Sequence, residues 1–360
     1  MAKYKLDDLC EFITDGTHQT PEYCEEGGVI FLSSKDVTER KINWDNVKHI
    51  PDSLHEKLYK RLRPQKKDIL LAKNGTTGVA AIVDRDEIFD IYVSLAVLRP
   101  INSIYPKYLL YAINSPVAKR QFDAGLKGIG VPNLHLGVIR ETVINVAERE
   151  EQELICETLD KVAGIIDKRK AELNALDNLI KARFVEMFYD KGYPVLGWND
   201  VFNTTTGKLD SNAATEDGEY PFFTCSKEML RINKFAFDQE ALLLAGNNAA
   251  GKYDVKYYNG KFNAYQRTYV LGLKEDWSYQ LFRYQLEDKL TYLQQQSLGG
   301  LTKYLTMKIL GELDFIIPPI DKQNEFENFV SQVDKSKFAV QKALDEAQLL
   351  FDSLMQQYFG

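Results

Sequence analysis

The amino-acid sequence predicts an α/β (α+β) protein. Two mixed globular domains are separated by two long helices paired as an antiparallel coiled coil, and a pseudo-two-fold internal repeat relates the halves. Three observations lead there. Displacing the 360-residue chain on itself by 171 positions brings NLHLGVIRETVINVAEREEQELICETLDKV, from Asn133, onto YLTMKILGELDFIIPPIDKQNEFENFVSQVD, from Tyr304; Gln152 meets Gln323 and Phe188 meets Phe359. Residues 150–190 and 321–360 carry apolar side chains at steps of four and three, with no proline. The remaining segments are rich in Gly, Asn, Thr and aromatics, with short apolar runs of strand type.

The first domain is assigned to residues 1–147. GVIFLS, DILLAKNG, VAAIV and YVSLAVL read as strands, and PKYLLYAINSPVAKRQF opens a helix at Pro106, where a missing N–H costs nothing. Segment 57–75, KLYKRLRPQKKDILLAKNG, concentrates Lys57, Lys60, Arg61, Arg63, Lys66, Lys67 and Lys73 ahead of Asn74. Fixed cations neutralise phosphates and an amide pairs with an adenine edge, so these are candidate DNA contacts; the same composition also suits a solvated loop.

The central helix, 148–190, lines up Ile155, Leu159, Val162, Ile166, Leu173, Leu176 and Ile180, continued by Met187, with Arg169 and Arg183 in two slots of the stripe. The second domain, 191–320, begins at KGYPVLGWND, whose Gly192, Pro194 and Gly197 stop a helix. EALLLAG and RTYVLGL read as strands there, and WSYQLFRYQLEDKLTYLQQ as helix. Asn247 and Asn248 follow LLLAG as Asn74 follows ILLAK. Lys252, Lys256, Lys261 and Arg267 alternate with Tyr253, Tyr257, Tyr258 and Tyr265, a pattern that suits nucleic-acid contact or strand core alike.

The last helix, 321–360, repeats the stripe with Phe326, Val330, Val333, Val340, Leu344 and Phe351, joined by Ala347, Leu354 and Tyr358, with Lys337 in one slot. Pro318 and Pro319 end a strand and aim the chain into this helix, and Asp321 sits near its positive end. At 1.5 Å per residue each helix reaches about 50–60 Å. Arg169, Arg183 and Lys337 either oppose alternative registers or extend their stems to solvent.

Forty-five Lys and Arg against 52 Asp and Glu give a formal charge of -7, which alone points to no nucleic acid. The four segments carry +1, -4, -1 and -3 in order, so the excess acid lies on the helices and the domains are free to present basic patches. Cys10, Cys24, Cys156 and Cys225 form no CxxC pair and read as reduced, mostly buried thiols. MAKYKLDDLCEF lacks an apolar signal core, and no run approaches the roughly 18 residues that span a bilayer; a soluble, cytoplasmic protein with no membrane partner is expected.

Catalytic signatures are missing. His18, His49, His55 and His135 make no HExxH pair, and His18 with Cys24 is too lone for zinc. There is no GxSxG elbow, GxxxxGK[ST] loop or GxGxxG fingerprint, and GLKGIG, 125–130, lacks the flanking strand and helix that cradle a phosphate. An NPPY-like or DPPY-like tetrad, a glycine loop for S-adenosylmethionine and a PD...(D/E)xK array are absent too. No catalytic residue, bound cofactor or metal is expected in this chain, whose contribution is binding and positioning.

EFITDGTHQTPEY (11–23), GVIFLSSKDV (28–37), KKDILLAKNGTTGVAAIV (66–83), PKYLLYAINSPVAKRQF (106–122), VPNLHLGVIRETVINVAEREEQ (131–152) and FIIPPIDKQNEF (315–326) together resemble the specificity subunits of type I restriction-modification systems, over practically the whole chain. The resemblance implies two target-recognition domains, each reading one half of a bipartite, asymmetric double-stranded DNA sequence. It implies that the helices form the spacer and hold two modification methyltransferase subunits. S-adenosylmethionine, ATP and magnesium then belong to those subunits and to motor-nuclease restriction subunits. Half-sites about one helical turn apart, roughly 34 Å, suit two readers on one strut.

Within the resembling text, Thr14, Gly16, Thr17 and His18 shape a loop or touch DNA, Gly75 and Gly78 allow turns, and Lys73 and Asn74 are the better contact candidates. The second half departs from the pattern. VFNTTTGKLDSNAATEDGEYPFF stands in place of the DGTHQTP text with only a loose Gly and Pro correspondence, and LLLAGNNAAG replaces LLAKNGTTG, so a different recognition class is expected there. Two other readings fit the residues. One is the recognition subunit of another restriction-modification class with a fused nuclease-methyltransferase partner; the other is a noncatalytic protein-interaction scaffold using acidic helices and tyrosine-rich surfaces.

Overall fold

The computed structural model describes residues 2–38, 40–126, 132–249 and 251–360. Residues 127–130 of the GLKGIG segment lie outside them. The chain forms two compact units, Met1–Lys170 with Lys342–Gly360, and Ala171–Gln341, so each long helix contributes to both.

In the first unit an antiparallel sheet runs Cys10–Asp15, Leu95–Pro100, Ile69–Ala72, Ala80–Ile82. Its middle strands are buried on both faces, which is why DILLAKNG and YVSLAVL are continuous apolar runs without alternation. A second sheet orders Lys48–Ile50, Val29–Leu32 and Phe89–Ile91, the last pair parallel. The predicted helix at Pro106 is two helices, Pro106–Ile113 and Pro116–Gly125. Pro116 has no N–H to continue the first, and Ser115 becomes an extended cap whose side chain accepts from the Ala118 N–H.

The second unit repeats the strand order. Phe202–Thr206, Thr268–Leu273, Phe237–Ala245 and Val255–Ala264 take the places of the four strands above, and the sheet continues through Tyr220–Phe223, parallel to Val255–Ala264, to Leu230–Ile232. Here too the helical stretch divides, into Tyr279–Asp288 and Leu290–Gln296. Each unit also pairs its opening strand with the strand that precedes a long helix: Ala2–Lys5 with Val143–Val146, and Val195–Gly197 with Asp314–Ile316.

The repeat reaches single residues. Gly16 and Gly207 each follow the first core strand and press against backbone, Gly16 on the Ile91 carbonyl and Gly207 on the Ala264 carbonyl, where a Cβ would overlap the oxygen. Gly207 is thus the structural counterpart of the glycine in DGTH. Buried Gln152 accepts the Tyr105 N–H at 2.8 Å and donates to the Ala147 carbonyl at 2.9 Å. Gln323, its partner in the sequence repeat, accepts the Ser278 N–H at 3.0 Å and donates to the Pro318 carbonyl at 2.8 Å. A second glutamine in each unit, Gln121 or Gln285, brackets the N–H and C=O of Val143 or Ile316. Both clamps fix the root of a long helix.

The long helices are Arg149–Phe188 and Ile320–Phe359, and they pack together. In the first unit Ile155, Leu159, Val162 and Ile166 join a core with Ala347, Phe351, Met355 and Phe359, flanked by Leu344. In the second, Ile180, Met187 and Phe188 join Phe326, Val330 and Val333, flanked by Leu176. Val340 is buried and Leu173 half-buried. The charged slots are partnered: Arg183 binds Glu325 at 2.7 Å and Lys337 binds Asp177 at 2.6 Å. Among the described residues no helix is long and apolar enough to cross a membrane.

Candidate nucleic-acid interface

The basic run of the first unit is not one loop. Its first part is the helix Asp52–Arg61, its end the strand Ile69–Ala72. Lys57, Lys60, Arg61, Arg63, Lys66 and Lys67 are exposed. Arg61 donates to the Asp15 carbonyl at 2.7 Å, Arg63 to the Tyr59 carbonyl at 3.1 Å, and Lys66 binds Asp86 at 2.9 Å. The helix is fastened to the sheet by His55, whose Nδ1 lies 2.7 Å from buried Asp90 Oδ2. Burial holds the Asp90 carboxyl above the usual aspartate range, with His55 pulling the other way. Buried Asp68 then receives Arg99 through two bonds of 2.8 Å and fixes the chain after the helix.

Lys73 departs from the rest of the run. It is 5% exposed and its ammonium binds the buried Asp15 carboxylate, so its charge is already matched inside the protein. Half-buried Asn74 leaves the strand and bridges to Asn133, and the Leu134 N–H donates to the Lys73 carbonyl at 2.8 Å. Asp15, His18, Lys73, Asn74, Asn133 and His135 contribute to the lining of a recess of roughly 530 Å³.

The same junction recurs in the second unit. Asn247–Asn248 pairs with Lys303–Tyr304, and the Leu305 N–H donates to the Gly246 carbonyl at 2.8 Å. Asn247 and Asn248 are half-buried, and Lys252, Lys261 and Arg267 are exposed. Lys256 is tied to Asp254 at 2.7 Å and to the Ser226 carbonyl at 2.8 Å. The tyrosines belong to the framework: Tyr253 lies in the core, Tyr257 donates to Glu240 at 2.7 Å, and Tyr258 packs on Phe223 and Phe262. Half-buried Tyr265 bridges to Leu209.

Spacing along the chain did not single out Asp15, Asn133 or His135, because nothing local joins a residue at 15 to one at 73 or 133. The 171-residue repeat carried the one available signal, since it sets Asn133 on Tyr304 and His135 on Thr306, the residues that flank the same bond in each unit.

Two of the thiols are poor nucleophiles. Burial pushes Cys10 and Cys156 up to about 12, and all four cysteines are free. Among the described residues no group of three or more His, Cys, Asp or Glu is placed to hold a metal ion.

Comparison with known proteins follows the same division of the chain. The family model described as type I restriction modification DNA specificity domain matches residues 1–177 and 192–347. The specificity subunit of the type I restriction enzyme EcoDI from Escherichia coli is 37% identical over 145 residues, 38% of this chain and 31% of that protein. The specificity subunit of MjaVIII from Methanocaldococcus jannaschii is 25% identical over 183 residues, 49% of this chain and 43% of that protein. The chain thus matches less than half the length of either curated relative. A crystal structure of a type I restriction-modification system S subunit from M. genitalium covers 100% of this chain and 96% of its own, with a TM-score of 0.61 at 15% identity, and shares the fold.

Proposed function

The chain belongs to the family of type I restriction-modification DNA specificity domains, and on that footing we propose that it is a noncatalytic specificity subunit reading a bipartite, asymmetric sequence in double-stranded DNA. Residues 1–147 and 191–320 serve as the two target-recognition domains. The helices, 148–190 and 321–360, set the spacer and hold two modification methyltransferase subunits. S-adenosylmethionine, ATP and magnesium are used by those subunits and by motor-nuclease subunits, in the cytoplasm.

One observation supports this reading most: a strand end, an amide-bearing loop and flanking exposed cations are built twice on the same backbone bonds with unlike side chains. A shared frame with different tips suits two readers of different half-sequences. Lys57, Lys60, Arg63 and Lys67 in one unit, and Lys252, Lys261 and Arg267 in the other, supply phosphate contacts; Asn74, Asn247 and Asn248 face base edges.

Replacing Lys57, Lys60 and Arg63 by Gln in the assembled complex tests it. DNA affinity is expected to fall, and the slope of log affinity against log salt to shrink by about 0.9 for each phosphate contact removed. Unchanged affinity and slope, with protein partners retained, would favour a protein-interaction scaffold.

A further inference from the structure

The strand Cys10–Asp15 ends on a residue that is used twice. The Asp15 carbonyl holds Arg61 of the exposed basic helix, and its carboxylate holds the Lys73 ammonium inside the protein. His18 Nε2 lies 3.4 Å from the other carboxylate oxygen. Asp15 therefore joins the phosphate-facing helix to the recess beside Asn74.

Stability is a weak reason for this ion pair. Desolvation of two buried charges offsets most of their attraction, and apolar or neutral replacements are often as stable. The second unit makes the point within the same chain. There the Gly246 N–H donates to the Arg267 carbonyl at 2.8 Å and the Leu305 N–H to the Gly246 carbonyl at 2.8 Å, matching Lys73 to Ser94 and Leu134 to Lys73, both 2.8 Å. Yet Thr206 ends the strand, and Gly246 replaces the lysine. The Tyr269 ring lies against Gly246, and a Cβ there would overlap the Arg267 carbonyl. The junction closes without charge.

We propose that the Asp15–Lys73 pair positions a base-reading recess in the first unit, in which Asn74 presents its amide to a purine edge offering adjacent acceptor and donor, as adenine does, with Asn133 and His135 also lining the recess. This rests on the DNA-reading function proposed above. Each charge is matched by the other, so the pair orders the loop without adding an unpaired charge at the bases. Arg61 fixes the phosphate-facing helix to the same strand end and sets how deep the recess sits in the groove. Asp15 and Lys73 are positioning residues, and Asn74 makes the contact.

The full chain co-expressed with its methyltransferase partner is selected on a random-sequence duplex library, and bound DNA is sequenced. The double variant Asp15→Thr with Lys73→Gly installs the second unit's residues and leaves no lone buried charge. Preference at one or two adjacent positions of a single half-site is expected to fall about ten-fold, the other half-site staying unchanged. Asn74→Asp, which keeps the shape and removes the donor, should lose preference at the same position. Unaltered preferences in both variants, or a loss spread evenly over all positions of both half-sites, overturn the proposal. A wild-type complex that selects no sequence overturns the DNA-reading function itself, and this inference with it.

Discussion

The first unit buries three carboxylates, Asp15, Asp68 and Asp90, where the second, among the described residues, buries none. Asp15, matched by Lys73, stands where the other unit has Thr206 and Gly246; Asp90, matched by His55, stands where it has Asn263, whose amide donates to the Lys234 carbonyl at 2.9 Å. The glutamine clamps at the helix roots, in contrast, are the same in both. Backbone-satisfying groups repeat because each unit must close the same frame, while the charged interior differs where the frame meets the loops proposed to face DNA. A duplicated fold has kept its supports and changed its tips.

The contrast can be broken most forcefully at Lys73. Lys73→Met leaves the Asp15 carboxylate buried and unmatched, and is expected to cost about 3–5 kcal/mol, read as a lowered unfolding midpoint in urea. Thr206→Val, at the matching place in the second unit, should change stability by less than about 1 kcal/mol. Equal losses at the two sites would remove the distinction between charged and neutral junctions.

The shared supports predict the opposite pattern. Gln152→Ala and Gln323→Ala each strand one buried N–H and one carbonyl, and each should cost about 1–3 kcal/mol. Clearly unequal losses, measured on the same urea scale, would show that the clamps are not equivalent.

Acid response sharpens the comparison further. Folded Asp90 keeps its proton at a pH where the unfolded chain has lost it, so stability falls as pH rises through the window just above the ordinary aspartate value of about 4. Asp90→Asn, which copies Asn263, should flatten that window. Thermal unfolding of both proteins, followed in small pH steps upward from pH 4, reads the difference.

Much of the frame was legible in the sequence. Runs such as DILLAKNG and EALLLAG became central strands because continuous apolar stretches must be covered on both faces. The long helices followed from heptad stripes free of proline, and their burial fell on Ile155, Leu159, Val162, Ile166, Ile180, Phe326, Val330, Val333, Val340 and Phe351. The interface was less legible. Composition grouped Lys73 with the exposed cations of 57–67, whereas strand pairing carries it inside to Asp15, a partner 58 positions away. The repeat set Gln152 on Gln323, but only the fold brings each to a loop ahead of its own helix.

The central claim is that one chain holds two unlike readers of DNA. Mapping methylated adenines across the genome of cells with and without the gene tests it most directly. The account predicts an asymmetric motif of two different specified ends around an unspecified spacer, present only when the gene is present. Methylation that does not depend on the gene, or a motif without two separated specified ends, would contradict it.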